Sequence, residues 1–242
     1  MKFFALGDLH LSFASAVNVR NWNENICYKP MDECCLTWKE HYKKIYYNWN
    51  DIVTKEDVVL VPGDISWAMK IDEVMYDMQY LSMLNGMLIV IPGNHDYWWH
   101  SISKVRRVIP ENMKAIQNDH VIIENVAICG TRGWLCPGSN VKFDVHDEKV
   151  YKREVMRLEN SLASVKKSVD DIIVMMHYMP TNEKHDRSGF IDVLEKYKIK
   201  TVIFGHLHAN AQEYRLPESK WGIKFYLVSA DFANFTPVLI RS

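Results

Sequence analysis

The stretch that decides the fold runs Met87-Leu88-Ile89-Val90-Ile91-Pro92-Gly93-Asn94-His95-Asp96. Its first five residues are apolar and mostly β-branched, which suits a short strand buried in a sheet. The run stops at Pro-Gly, and three side chains able to hold metals or move protons follow at once. The same grammar recurs along the chain. Phe3–Leu6 ends in Gly7-Asp8-Leu9-His10, Val58–Val61 in Pro62-Gly63-Asp64, Ile172–Met176 in His177, and Thr201–Phe204 in Gly205-His206-Leu207-His208. A glycine before the polar group lets the chain turn sharply and approach a ligand closely. Ligands of α/β sheets bind beyond the carboxyl ends of the strands. Five such ends, as neighbours, would converge on one cavity.

Working outward, Val121–Ile123 and Val126–Cys129 flank Glu124-Asn125 and predict a hairpin. Ile223–Val228 and Val238–Ile240 read as late strands. Helical stripes separate the strands. Cys34, Trp38, Tyr42, Ile45, Trp49 and Ile52 follow Pro30 at spacings of three and four. Ile71, Val74, Met78 and Leu81 form a second stripe that stops at Asn85-Gly86. Ile102, Val105 and Ile109 form a third, ended by Pro110. Tyr151, Val155, Leu158, Leu162 and Val165 form a fourth, and Phe190–Tyr197 a short fifth. Alternating strands and helices predict an α/β fold, and the hairpin makes its sheets mixed. No repeat, low-complexity tract or Gly/Ser-rich linker interrupts residues 1–242, so a single domain is expected.

The bulk properties narrow the classes. The 242 residues are enough to bury a large core without staples. Twenty-nine Lys and Arg against 30 Asp and Glu give a net charge of −1, so no global field draws the chain to nucleic acid or to an anionic membrane. Cys27, Cys34, Cys35, Cys129 and Cys136 are odd in number and form no CxxC pair, which argues for reduced thiols over a zinc knuckle or disulfide framework. The apolar start is too short for a signal peptide, and no apolar run reaches the roughly 18 residues of a membrane span. Cytoplasm is the expected location.

Asp8, Asp64, Asn94, His10, His177, His206 and His208 supply carboxylate, amide and imidazole donors, with His95 left over. That mixture suits Mn, Fe, Zn, Co or Ni. Seven donors exceed what one such ion accepts, so two divalent ions sharing a bridging carboxylate fit better. In Asp8-x-His10 and His206-x-His208 the two side chains share one face of an extended chain. Each piece alone is a common turn or surface feature. Their meaning comes from occurring together, each after an apolar run.

The ordered set Asp8-x-His10, Gly63-Asp64, Gly93-Asn94-His95-Asp96, His177 and Gly205-His206-x-His208 resembles the calcineurin-like metallophosphoesterases, from residue 7 to residue 208. The resemblance implies a four-layer αββα sandwich of two mixed sheets flanked by helices. It also implies roles. Asp8, His10 and His208 would hold one metal, and Asn94, His177 and His206 the other, with Asp64 bridging. A metal-bridging hydroxide would attack phosphorus. His95 would assist the leaving group, and Asp96 would orient His95. Many members carry an Asp three residues after the bridging one, where this chain has Trp67. That departure weakens a protein Ser/Thr phosphatase reading. Trp98-Trp99 and Thr131-Arg132-Gly133-Trp134 suggest a bacterial subgroup of predicted phosphohydrolases with unsettled substrates. The expected partner is a small phosphorylated substrate, a phosphomonoester or a phosphodiester. The alternatives are a nuclease of the same superfamily, which near-neutral charge argues against, and a binding scaffold that has lost hydrolysis.

Several residues carry two readings each. Ser12–Lys29 is polar and irregular, either a solvated loop or a lid. Trp98 and Trp99 either stack a base or pack the core. Arg132 either clamps a phosphate or makes a surface ion pair. His41, His100, His120, His146 and His185 read as surface or structural histidines, and the cysteines as small core fillers.

Overall fold

The computed structural model describes residues 1–22, 26–31, 36–138 and 142–242. Their strands form two mixed sheets. In the first, β1 (Phe3–Ala5), β2 (Val58–Pro62), β3 (Met87–Ile91) and β4 (Met113–Ala115) run parallel side by side, and β11 (Val238–Arg241) pairs antiparallel with β1. In the second, β6 (Val126–Thr131), β7 (Asp171–Met176), β8 (Thr201–Phe204) and β10 (Ile223–Leu227) are parallel. β5 (Val121–Ile123) and β9 (Ser219–Lys220) border them antiparallel. The helices are α1 (His41–Ile52), α2 (Met75–Leu81), α3 (Ile102–Val108), α4 (Val145–Ala163) and α5 (Gly189–Lys196).

Side-chain alternation along the strands builds the layers. Phe3, Ala5, Val58, Leu60, Ile89 and Ile91 point toward the second sheet and meet Ile128, Ile173, Met175 and Ile203. Their neighbours Phe4, Val59, Val61, Leu88 and Val90 point the other way, onto Ile45, Trp49, Met78, Leu81 and Val105 of α1, α2 and α3. Cys129, Val174, Met176, Val202 and Phe204 likewise face Leu158 and Leu162 of α4 and Phe190 and Leu194 of α5. Each such aliphatic side chain contributes about 1.5–3 kcal/mol of burial. The result is the expected four-layer sandwich, helices outside and two sheets within.

Three local expectations change. The helix drawn from Cys34 to Ile52 breaks, because Leu36–Trp38 is a single 3-10 turn and Glu40 takes a left-handed backbone (φ 49°) before α1 begins at His41. Cys34 and Cys35 lie outside the described residues. The second stripe becomes helical only at Met75. The Ser12–Lys29 segment, where described, is solvent-exposed at Ala14–Ala16, Asn18, Arg20, Asn21, Tyr28 and Lys29 but is pinned to the core between them. Phe13, Val17 and Ile26 are buried in the first core, Phe13 bridges Cys27, and the Ser12 hydroxyl donates to the Lys29 carbonyl at 2.8 Å. No helix among the described residues is long and apolar enough to cross a membrane.

Candidate metal centre

The five strand ends meet between the two sheets. β1 and β2 are bound together beyond their last paired residues, since the Asp8 and His10 amides donate to the carbonyls of Gly63 and Asp64, both at 2.9 Å. Asp8, His10, Asp64 and His206 turn inward on left-handed backbones, with φ of 57°, 46°, 50° and 70°. Such conformations cost non-glycine residues about 1–3 kcal/mol and cluster at functional sites. Glycine makes the approach possible at two places. A Cβ on Gly93 would stand 2.0 Å from Asp64 Oδ1 and one on Gly205 would stand 2.3 Å from Asp8 Oδ2.

Donor atoms of Asp8, His10 and His208 lie within 4.8 Å of one another, as do those of Asp8, Asp64 and His177. His10 Nε2 faces His208 Nε2 at 3.4 Å, and His208 Nε2 is 3.4 Å from Asp8 Oδ1. Asp64 Oδ2 stands between the groups, 3.8 Å from His10 Nε2 and 3.5 Å from His177 Nε2. Asn94 joins at His177, its Oδ1 2.7 Å from Nε2. His206 stands beside the convergence. Its amide donates to both Asp8 oxygens at 3.1 Å, and its ring is edge-on to His177 with centroids 5.0 Å apart.

These residues fit divalent cations on several counts. His177 Nδ1 donates to the Pro62 carbonyl at 3.0 Å, and burial keeps this imidazole below its ordinary pKa. The neutral ring therefore turns a lone pair toward the amide oxygen of Asn94, and two acceptors face each other at hydrogen-bond distance. A cation resolves that conflict. Two carboxylates are buried together. Against the cost of burial, His208's hydrogen bond and charge hold Asp8 well below the usual carboxylate range. Burial and the charge of Asp8 push Asp64 up to about 8. Positive charge between them would allow both to ionise. His10 and His206 are kept neutral and ready to ligate. Burial lowers His10, and burial above all takes His206 down to about 3. His10 Nδ1 is buried without a partner.

Asp231 is a site residue that the motifs did not reveal. Its Oδ1 accepts from His208 Nδ1 at 2.7 Å, and its Oδ2 accepts from Gln212 Nε2 at 2.8 Å. Burial alone would lower the His208 pKa, but Asp231 and Asp8 outweigh it and raise it to about 10. Carboxylates behind ligating histidines fix ring orientation and tautomer.

Asp96 does not orient His95. Its Oδ1 accepts from the amides of Ile65 (2.9 Å) and Ser66 (3.0 Å) and from Trp98 Nε1 (2.9 Å). Its Oδ2 accepts from the Gly93 amide at 2.8 Å. With four donors satisfied inside the loops, the carboxylate fastens the β2 end to the β3 end. His95 Nδ1 is buried without a partner, and Trp67 packs on the ring with centroids 4.3 Å apart. Trp67, in the position where many relatives carry Asp, also stacks on His10 at 4.8 Å, under the Lys29 ammonium at 3.3 Å. Burial first, then His177, takes the His95 pKa down to about 4.

The paired readings also resolve. Trp98 is fully buried core, while half-buried Trp99 donates to Gln117 Oε1 at 3.2 Å. Buried His41 is structural, its Nε2 3.0 Å from the Leu9 carbonyl. Cys129 and Cys136 are buried free thiols, and Cys27 is half-buried.

The calcineurin-like phosphoesterase family matches residues 1–210 of the chain. A probable cyclic nucleotide phosphodiesterase of Vesicomyosocius okutanii subsp. Calyptogena okutanii is 26% identical over 170 residues, spanning 66% of this chain and 66% of that relative. Another from Coxiella burnetii is 23% identical over 217 residues, spanning 77% of this chain and 83% of its own length. Among solved structures, a protein of unknown function from Aquifex aeolicus is similar at a TM-score of 0.49 and 14% identity, covering 98% of this chain and 95% of that one.

Proposed function

We propose a function from one premise: this chain belongs to the calcineurin-like phosphoesterase family. It is a metal-dependent phosphoesterase acting on a small phosphoric ester. Phosphodiesters of the cyclic nucleotide kind are the first to try, since two relatives carry that name. The observation that supports this most is the opposed acceptor pair His177 Nε2 and Asn94 Oδ1 at 2.7 Å, beside two buried carboxylates.

Two divalent transition ions would be held by Asp8, His10, Asp64, Asn94, His177, His206 and His208, with Asp64 shared. When bound, they supply Lewis-acid activation of the phosphoryl group and of water. The chain's own residues do the rest. Asp96 ties the Asp64 turn to the Asn94 turn, Pro62 and Asp231 orient His177 and His208, and Trp67 holds the His95 ring in place. The unpartnered His95 Nδ1 leaves this imidazole free to hydrogen-bond the leaving-group oxygen. The buried free thiols support a cytoplasmic setting. The near-neutral charge supports a small substrate over a nucleic-acid backbone.

The test combines elemental analysis with a substrate panel in Mn²⁺: p-nitrophenyl phosphate, bis-p-nitrophenyl phosphate and cyclic nucleotides. Two ions per chain, activity abolished by chelation, and loss of at least one ion in Asp64→Asn are expected. A stoichiometry of one or less with activity intact would sink the dinuclear reading.

A further inference from the structure

A polar cavity of about 170 Å³ adjoins the centre, between the ends of β3 and β6. Gly93, Trp99, Gln117, Arg132, Glu154 and Arg157 line it. Glu154 projects from α4 with its side chain fully buried, and its oxygens are already engaged. Oε2 accepts from Thr131 Oγ1 at 2.7 Å and Oε1 from Arg157 Nη1 at 2.8 Å, with Arg153 Nε 3.6 Å away. Asp96, the other carboxylate of the lining, has its four donors. Three arginines thus approach one buried carboxylate, although only Arg132 and Arg157 of them line the cavity.

Arg132 is the group that remains unsatisfied. Its Nε is buried without a hydrogen-bond partner, and its Nη2 stands 3.8 Å from Glu154 Oε1, beyond hydrogen-bond reach. Buried polar groups are nearly always paired, so an orphaned guanidinium nitrogen calls for an explanation. The guanidinium is positioned by stacking, its Cζ 4.7 Å from the Trp134 ring centroid. Trp134 contacts Tyr178 at 5.3 Å, and Tyr178 contacts His206 at 4.0 Å between centroids. One aromatic wall therefore runs from Arg132 to a predicted metal ligand. A planar guanidinium held rigid with free donors suits two-point binding of an oxyanion.

We propose that this cavity is an oxyanion subsite beside the metal centre, taking a phosphate other than the one hydrolysed, with Arg132 as principal donor and Arg157 as second. The phosphate is either a second one on the substrate or free inorganic phosphate. The inference rests on the metal centre being the place of hydrolysis, and the two arms of the test separate the failures. In the first, sulfate is titrated into the full-length protein as purified, followed by tryptophan fluorescence. Saturable binding is expected, weakened about tenfold or more in Arg132→Gln, weakened also in Arg157→Gln, and partly restored in Arg132→Lys. Equal affinity in wild type and Arg132→Gln, or no saturable binding, overturns the proposal. This arm holds even if no ester is hydrolysed.

In the second arm, kcat/KM is compared between thymidine 5′-(p-nitrophenyl phosphate) and the same diester bearing a 3′-phosphate. A wild-type preference of about tenfold for the second, falling toward one in Arg132→Gln, assigns the subsite to a substrate phosphate. No preference, with inhibition by free phosphate weakened in Arg132→Gln, assigns it to free phosphate. An equal loss on both esters in Arg132→Gln, with phosphate inhibition unchanged, overturns it.

Discussion

The first sheet brings Asp8, His10 and Asp64 to the centre on left-handed backbones and Asn94 on an ordinary one, whereas the second brings His177 and His208 on ordinary ones and only His206 on a strained one. The first set is placed by the main chain, with Gly93 making room for the Asp64 carboxylate. The histidines of the second are aimed by hydrogen bonds made behind them, to Pro62 for His177 and to Asp231 for His208. Position set by backbone leaves no slack, because nothing nearby can yield. Orientation set by a hydrogen-bond partner degrades by degrees.

The contrast is tested most severely at Gly93. In Gly93→Ala the new Cβ would meet both the Asp64 carboxylate and its amide, so Asp64 must move. Metal content should fall and activity should drop to about 1% of wild type or lower. Near-normal metal binding in this variant would show that the first sheet has the slack denied to it here.

On the second sheet, Asp231→Asn keeps an acceptor for His208 and removes only its charge. Metal affinity should weaken about 10–100-fold, read by competition with a chelator, while saturating metal restores most of the activity. Failure of saturating metal to restore activity would place Asp231 with the backbone-set group.

His95 belongs to neither mode: its amide donates to Asp64 Oδ1 at 2.8 Å, and its ring rests on Trp67. His95→Asn should leave metal content intact. It should slow an alkyl phosphate ester about 10²-fold and a nitrophenyl ester much less, because only the alkoxide needs a proton. Loss of a metal, or equal slowing of both esters, would end its assignment to the leaving group.

The smallest effect should come from Asp77, behind the first sheet, which accepts from the Phe13 amide at 2.8 Å and from the Ser66 hydroxyl. Burial pushes its pKa from an ordinary 3.8 up to about 7. Between those values the folded state keeps a proton that the unfolded chain has released. Stability from this group is thus full below about 4 and is lost as pH rises to about 7. From pH 5 to 8 the wild-type Tm should fall more than that of Asp77→Asn, by a few degrees on a scale of about 2–4 °C per kcal/mol. Parallel Tm profiles would contradict the buried proton.

The strands that build the centre were legible because each is an apolar run closed by Gly or Pro-Gly or ending directly in His. β4 was not, since Met113-Lys114-Ala115 is short and its middle side chain is exposed. The break before α1 escaped because Trp38 and Tyr42 keep helical spacing across it, while Trp38 in fact sits edge-on to His10 and His208, 5.6 Å from each. Asp231 could have been found. Ile223–Val228 ends in Ser229-Ala230-Asp231, a sixth apolar run with a polar end, but no glycine marks it. Asp96 was misread because adjacency to His95 in sequence suggested contact, whereas its carboxylate turns back to amides of the preceding strand ends. Glu154 gave no signal, since a charge on an amphipathic helix is ordinarily solvated.

The amide of His206 binds the carboxylate of Asp8 across 198 positions of sequence. A contact at such separation forms slowly, because a long loop must close before it stabilises anything. During synthesis, Asp8, Asp64 and His177 all emerge before the chain that completes the ligand set. On the proposed ligand set, capture of metal waits for the closing steps of folding.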